Sequence, residues 1–207
     1  MGKNIIGSKW VFKKTIETDG SIKYKSRIVS KGYMQIPGVD YTERYSPVAS
    51  DTTKRIMIMF SLWNHKKGWI CETIDIEAAF LEGDIEEPTF MEWPPGMKEL
   101  GQIDEVFRKN NCIRLRKSIY GNVDSALRFY RTYAKYLCED MKMTQSQTNA
   151  CLFMLKDEGG QTLLIASCHV DDTLLVGTKE SIEDFKTKLK LRFKIKELGL
   201  MVRHLGI

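Results

Sequence analysis

The sequence predicts an α+β protein with a largely antiparallel sheet packed on helices, and three observations lead there. An Asp19-Gly20 pair stands between two β-prone runs, residues 10–16 and 22–29, which is a strong short-range signal for a hairpin. Two apolar runs, 162–170 and 173–176, read as further strands with Asp171 and Asp172 between them. Helical patterns interleave with these strands without a regular βαβ beat, which argues against a parallel sheet.

The elements follow in order. On the second strand of the first hairpin Lys23, Lys25 and Arg27 recur at spacing two, so all three share a face. Residues 31–40 are turn and loop, marked by Lys31-Gly-Tyr and Pro37-Gly38. A helix begins at Asp51, the expected N-cap, with Ile56, Met59, Phe60 and Trp63 forming one apolar stripe. Residues 71–76 read as a strand that carries Asp75 at its far end. From 82 to 109 the prolines, with Glu86-Glu-Pro88 and Trp93-Pro-Pro-Gly96, indicate a polar loop. Residues 125–141 are helical, with Ala126, Phe129, Tyr130, Tyr133, Ala134 and Leu137 at the 3.6-residue period. Ser181 is the expected cap of a last helix that turns Ile182, Phe185 and Leu189 inward.

Composition narrows the class. The chain has 207 residues, 43% hydrophobic and 29% charged, as expected of one globular domain, with or without a lobe, rather than a large multidomain enzyme. The formal charge is only +5, yet residues 1–35 hold eight Lys and Arg against two acidic residues. Such a cluster is commonly a solvated face, and it also suits a phosphate chain. Five cysteines, none in a C-x-x-C pair, read as free thiols of an intracellular protein, and three scattered histidines leave no zinc site at workable spacing. No run of 18 apolar residues predicts a membrane span. Met1-Gly2 lacks the Ser or Thr that myristoylation requires, because Ile6 stands there.

The chemistry is carried by aspartates. An Asp-Asp pair between apolar strands is costly unless a hairpin lifts both carboxylates out at its tip, and a solvated turn is the simplest account of it. Asp75 at the end of another strand changes the balance, since neighbouring antiparallel strands would bring three carboxylates together. Such a set repels itself without cations, and hard oxygen donors select magnesium or manganese, the metals of two-ion phosphoryl transfer.

At this point the sequence resembles the reverse transcriptase domain of copia-type LTR retrotransposons. The resemblance rests on Trp10-Val-Phe-Lys-Lys, Asp19-Gly20, Tyr24-Lys-Ser-Arg-Ile-Val-Ser-Lys-Gly-Tyr-Met-Gln35, Gly38-Val-Asp-Tyr-Thr-Glu43 and Tyr45-Ser-Pro-Val-Ala49. It continues through Ile74-Asp-Ile-Glu-Ala-Ala-Phe-Leu-Glu-Gly83, Pro94-Pro-Gly96, Ser118-Ile-Tyr-Gly121, His169-Val-Asp-Asp172 and Leu205-Gly-Ile207. It implies a right-hand polymerase with fingers over residues 1–70, a palm over 71–207 and no thumb within the chain. The implied reaction is magnesium-dependent addition of dNTP to a primer on an RNA or DNA template, with manganese as a substitute metal.

By the same resemblance, Asp75, Asp171 and Asp172 would be catalytic, with the backbone carbonyl of Ile76 joining them at the metal. Lys25, Arg27 and Lys31 would grip the triphosphate, with the choice among them open. Ala79 and Phe80 would lie at the sugar, and His169 on the primer side. Implied partners are template, primer and dNTP, with integrase and ribonuclease H regions of a Pol polyprotein; no membrane is involved, and a cytoplasmic particle is the implied location.

Two positions depart from the family pattern. His169 replaces a tyrosine. Asp124 stands where a nucleotide-supporting glutamine is expected, and a carboxylate beside a triphosphate would be repulsive. Two rivals follow: a catalytically inactive remnant that at most binds nucleic acid, and a two-metal nuclease using the same carboxylates.

Overall fold

The computed structural model describes residues 3–17, 19–85, 87–97, 99–101 and 103–201; Met1-Gly2, Thr18, Glu86 and Leu205-Gly-Ile207 lie outside them. In chain order the elements are β1 (Ile5–Ile6), β2 (Ser8–Ile16), β3 (Ile22–Ser30), α1 (Asp51–Trp63), β4 (Trp69–Ile76), β5 (Phe90–Met91), α2 (Glu105–Asn110) and β6 (Ile113–Arg114). They continue with α3 (Ser125–Glu139), β7 (Thr144–Gln145), β8 (Leu152–Lys156), β9 (Thr162–His169), β10 (Asp172–Thr178), α4 (Lys179–Leu189) and β11 (Ile195–Leu200). The fold is mixed α/β with antiparallel sheets, and among the described residues one strand pair, β1 with β5, is parallel. No described helix is long and apolar enough to cross a membrane.

The described residues gather into two compact units, one from 1–45 and 83–129, the other from 46–82 and 130–207. α1 buries Met57 against Trp69, Leu174 and Val176 and so joins the second unit.

In the first unit β2 and β3 pair from Ser8↔Ser30 to Ile16↔Ile22. Alternation divides the hairpin into two unlike faces: Trp10, Phe12 and Tyr24 on one, and Lys9, Lys13, Lys23, Lys25 and Arg27 on the other. Beside it, β1, β5 and β6 form a small sheet over Ile6, Met91 and Leu115. β5 and α2 fall inside the stretch the sequence presents as loop. β5 is only two residues long, between Pro88 and Pro94, and α2 is a short helix capped by Asp104, whose carboxylate accepts from the Phe107 amide at 2.6 Å.

The second unit is built on a six-stranded antiparallel sheet in the order β11-β4-β10-β9-β8-β7. α1 covers one face. On the other, Tyr133 of α3 shares a hydrogen bond of 3.1 Å with Thr173, and Tyr133 and Tyr136 meet Phe193 edge-on. Ile182, Phe185 and Leu189 of α4 are buried, as their spacing predicts.

Two helix starts differ by one and three residues from expectation. Ser50 caps α1, accepting from the Thr53 amide, and Thr178 caps α4, accepting from the Ser181 amide. The α1 stripe also differs: Ile56, Met59 and Trp63 are 59%, 67% and 86% exposed, while Lys54, Met57 and Ser61 are buried. The sheet beneath the start of α1 carries aspartates, so the helix lays down a face that begins with a lysine.

Behind the sheet, Lys186 of α4 lies 3.0 Å from Glu72, 2.6 Å from Glu183 and 2.9 Å from Glu197. Burial alone would lower the lysine pKa, and these carboxylates together raise it above its ordinary value. A lysine with a raised folded pKa stabilises the fold at every pH below its unfolded value, and the gain fades only as pH rises through the folded one. Lys186→Met leaves Glu72 buried beside no ammonium and should cost roughly 3–5 kcal/mol in urea unfolding. Adding Glu72→Leu should recover most of that loss; a single-variant cost below about 1 kcal/mol would contradict the role given to the cluster.

Candidate active site

β4 and β10 are adjacent central strands, and their register sets Asp172 directly opposite Asp75. On its other side Asp172 faces His169, and Asp75 faces Lys196 of β11. One row therefore crosses four strands with two carboxylates at its centre, on the face that α1 covers. Asp171 stands in the two-residue turn between β9 and β10, where its carbonyl accepts the Ile76 amide at 2.8 Å. That bond ties the turn to the end of β4.

The hairpin lifts only Asp171 clear of the sheet. Asp172 is the first residue of β10 and sits in the ladder, whereas the sequence places both at the tip. The backbone is strained here: Val170 has φ +56, a left-handed conformation that a β-branched residue rarely adopts. Ala78, just past β4, has φ +55. Strain of this kind persists where the surroundings over-determine it, commonly at functional sites.

The electrostatics are those of an acidic centre. Burial raises the pKa of Asp172, and the charges of Asp171 and Asp75 raise it further, while His169 and Lys54 act in the opposite sense. Among the described residues no three Asp, Glu, His or Cys side chains are drawn close enough to ligate one metal ion. Asp75, Asp171 and Asp172 nevertheless act on one another electrostatically, two of them raising the pKa of the third. The donor set, all carboxylate, matches a hard ion.

The remaining predicted residues divide between the units. Ala79 is buried in a single 3-10 turn, Ala79–Glu82, and Phe80 follows it half-buried. His169 is half-buried, and its Nδ1 finds no hydrogen-bond partner among the described residues. Lys25, Arg27, Lys31 and Asp124 belong to the first unit. Lys25 and Arg27 share the cationic face of the hairpin, and the Arg27 guanidinium lies over the Tyr120 ring at 5.3 Å. Lys31 falls just past the end of β3, outside that row.

Asp124 differs most from expectation. It is 4% exposed and accepts a hydrogen bond of 2.5 Å from Arg128 one helical turn on. Arg128 pairs with the Asp124 Oδ2 inside the unit, while the buried Asp124 Oδ1 has no hydrogen-bond partner among the described residues. Sequence reading missed Lys54 and Arg128. For Arg128 the signal was present in the Asp-to-Arg spacing of four residues.

The sheet, the tied turn and the acidic row together define an α/β protein whose carboxylates collect at one end of a helix-covered antiparallel sheet. Comparison with known proteins supplies the family: the chain belongs to the reverse transcriptase (RNA-dependent DNA polymerase) family, whose model it matches over residues 1–207. Among its relatives, the Retrovirus-related Pol polyprotein from transposon RE2 of Arabidopsis thaliana is 33% identical over 205 residues, covering 98% of this chain and 13% of that protein. The Pol polyprotein from transposon TNT 1-94 of Nicotiana tabacum is 30% identical over 210 residues, covering 100% and 15%. The Transposon Ty1-DR4 Gag-Pol polyprotein of Saccharomyces cerevisiae is 28% identical over 201 residues, covering 96% and 11%. The chain thus spans about a seventh or less of the length of these relatives, and it is a copia-type reverse transcriptase domain by family.

Proposed function

We propose that this chain carries the nucleotidyl-transfer centre of an RNA-directed DNA polymerase, with the row of Asp75 and Asp172 and the adjoining Asp171 as its catalytic carboxylates. The observation that carries this reading is the register that sets Asp172 against Asp75 while the Ile76 amide ties down the turn bearing Asp171. Asp75 and Asp171, with the carbonyl of Ile76, would hold magnesium, and Asp172 would complete the acidic field. Magnesium, or manganese in its place, supplies the Lewis acidity that favours attack of a primer 3′-hydroxyl on a dNTP and departure of pyrophosphate.

The chain's own groups supply orientation and charge. Lys25, Arg27 and Lys31 would bind the triphosphate or the template backbone, since a strand face carrying five cations attracts polyphosphate at low salt. Phe80 and Ala79 would set the sugar, and His169, opposite Asp172, would face the primer end. In this reading the hairpin belongs to a fingers-like region within 1–70 and the acidic row to a palm-like region within 71–207. Template, primer and the other Pol regions are the partners, in a cytoplasmic particle.

The test is single-nucleotide extension of a primer on an RNA template. Incorporation should require magnesium or manganese and stop with a chelator, and incorporation indifferent to chelation would overturn the reading. A second reading, nucleic-acid binding without synthesis, is favoured by Asp124, a buried carboxylate whose Oδ2 pairs with Arg128 where the family places a nucleotide-supporting amide. It predicts salt-sensitive primer–template binding and no extension at any metal concentration.

A further inference from the structure

Lys54 is 3% exposed, an uncommon place for an ammonium group. The path of α1 explains where it lies. Near the C-terminal end of the helix, Phe60 meets Trp69 edge-on at 5.2 Å, and one turn earlier Met57 packs on Leu174 and Val176. α1 therefore runs antiparallel to β4 over the sheet face that Leu174, Val176 and Asp172 share by alternation. Lys54, three residues before Met57 on the same helix face, falls over the next step of that row, Asp172 with Asp75 opposite it. Asp51 holds the ammonium at 3.0 Å. Yet the Asp51 side chain is 69% exposed, so pairing with Asp51 alone gives the lysine no reason to be buried. The acidic row beneath the helix does.

We propose that Lys54 is a built-in counter-cation of the acidic row, balancing Asp172 in the resting chain and lowering the affinity of the row for a divalent ion. The inference rests on the reading of that row as the metal centre and adds to it a residue that sets how tightly the metal is held. Lys54 touches no reacting atom in this account; it is a positioning residue that acts through charge. A fixed cation so near a divalent ion opposes it strongly even at an effective dielectric constant of about 20.

The experiment is manganese binding to the full chain, followed by electron paramagnetic resonance of free Mn2+, for the unmodified protein, Lys54→Met and Lys54→Arg. Methionine keeps the unbranched stem and the helix propensity while removing the charge. Lys54→Met should bind Mn2+ at least about tenfold more tightly, and Lys54→Arg should stay within about twofold of the unmodified chain. Lys54→Gln serves as a second neutral variant, and thermal unfolding of each protein establishes that it is folded. Equal, measurable affinity in the unmodified chain and the neutral variants overturns the role of Lys54 and leaves the metal reading standing. No binding in any of them overturns both.

Discussion

Asp171→Asn should lower nucleotide incorporation on the order of a thousandfold, the scale expected when charge stabilisation of the transition state is lost, and leave the fold intact. Asp75→Asn should do the same, because Asp75 lies at the end of β4, to which the turn bearing Asp171 is tied. The informative part is the stability of the variants. The carboxylates work against one another, and Asp172 in particular has its pKa raised by burial and by its two acidic neighbours. An acid with a raised folded pKa holds its proton more tightly folded than unfolded, so its ionisation opposes folding above the carboxylate range and the penalty lifts as pH falls through it. Asp172→Asn should therefore leave the thermal midpoint at pH 7 unchanged or slightly higher while reducing incorporation. Residues kept for packing behave in the opposite way, and a midpoint lowered by several degrees in all three Asn variants would mark the row as structural.

The largest effect on stability is expected at Gly121. Its φ is +96, and a Cβ there would lie 2.2 Å from the Ser30 carbonyl oxygen, far inside van der Waals contact. The approach is mutual: a Cβ on Gly32 would lie 2.0 Å from the Gly121 carbonyl oxygen, and the Ser30 amide donates to the Tyr120 carbonyl at 2.9 Å. The end of β3 and the turn at 118–121 thus meet backbone to backbone, with no room for a side chain on either. Gly121→Ala should cost roughly 3–5 kcal/mol, as a strained dihedral and a backbone clash combine. Gly20→Ala separates the two causes. Gly20 has φ +80 but nothing within 4 Å of its Cβ position, so its substitution should cost only about 1–2 kcal/mol. Equal costs at the two positions in urea unfolding would show that the close approach contributes nothing.

Much of the fold is legible in the sequence where elements are long and strongly patterned. The β2–β3 hairpin, α3, α4 and the β9–β10 pair all follow from turn chemistry and periodicity. β1, β5 and β6 are two residues each, too short for any period to register, and the prolines around β5 point towards loop. β11 has only a weak alternation, broken by Gly199 at φ +78 and a shift in its pairing with β4. The inward face of α1 differs from the stripe its spacing predicts for a physical reason: the most apolar stripe is not the one that packs when the sheet below presents aspartates. The same fact hid Lys54. The acidic residues themselves were legible, because carboxylates at strand ends beside apolar runs are unusual. Their register was not, since which residue of β10 opposes Asp75 depends on long-range pairing that local sequence does not specify.

The central claim is that a divalent ion sits between the end of β4 and the β9–β10 turn. It is tested most directly by replacing magnesium with Fe2+ in the presence of ascorbate and peroxide and mapping where the backbone is cut. The account predicts cleavage confined to the neighbourhoods of Asp75 and Asp171, suppressed by excess magnesium and absent in Asp171→Asn. Cleavage elsewhere in the chain, or the same cuts in Asp171→Asn, would contradict it.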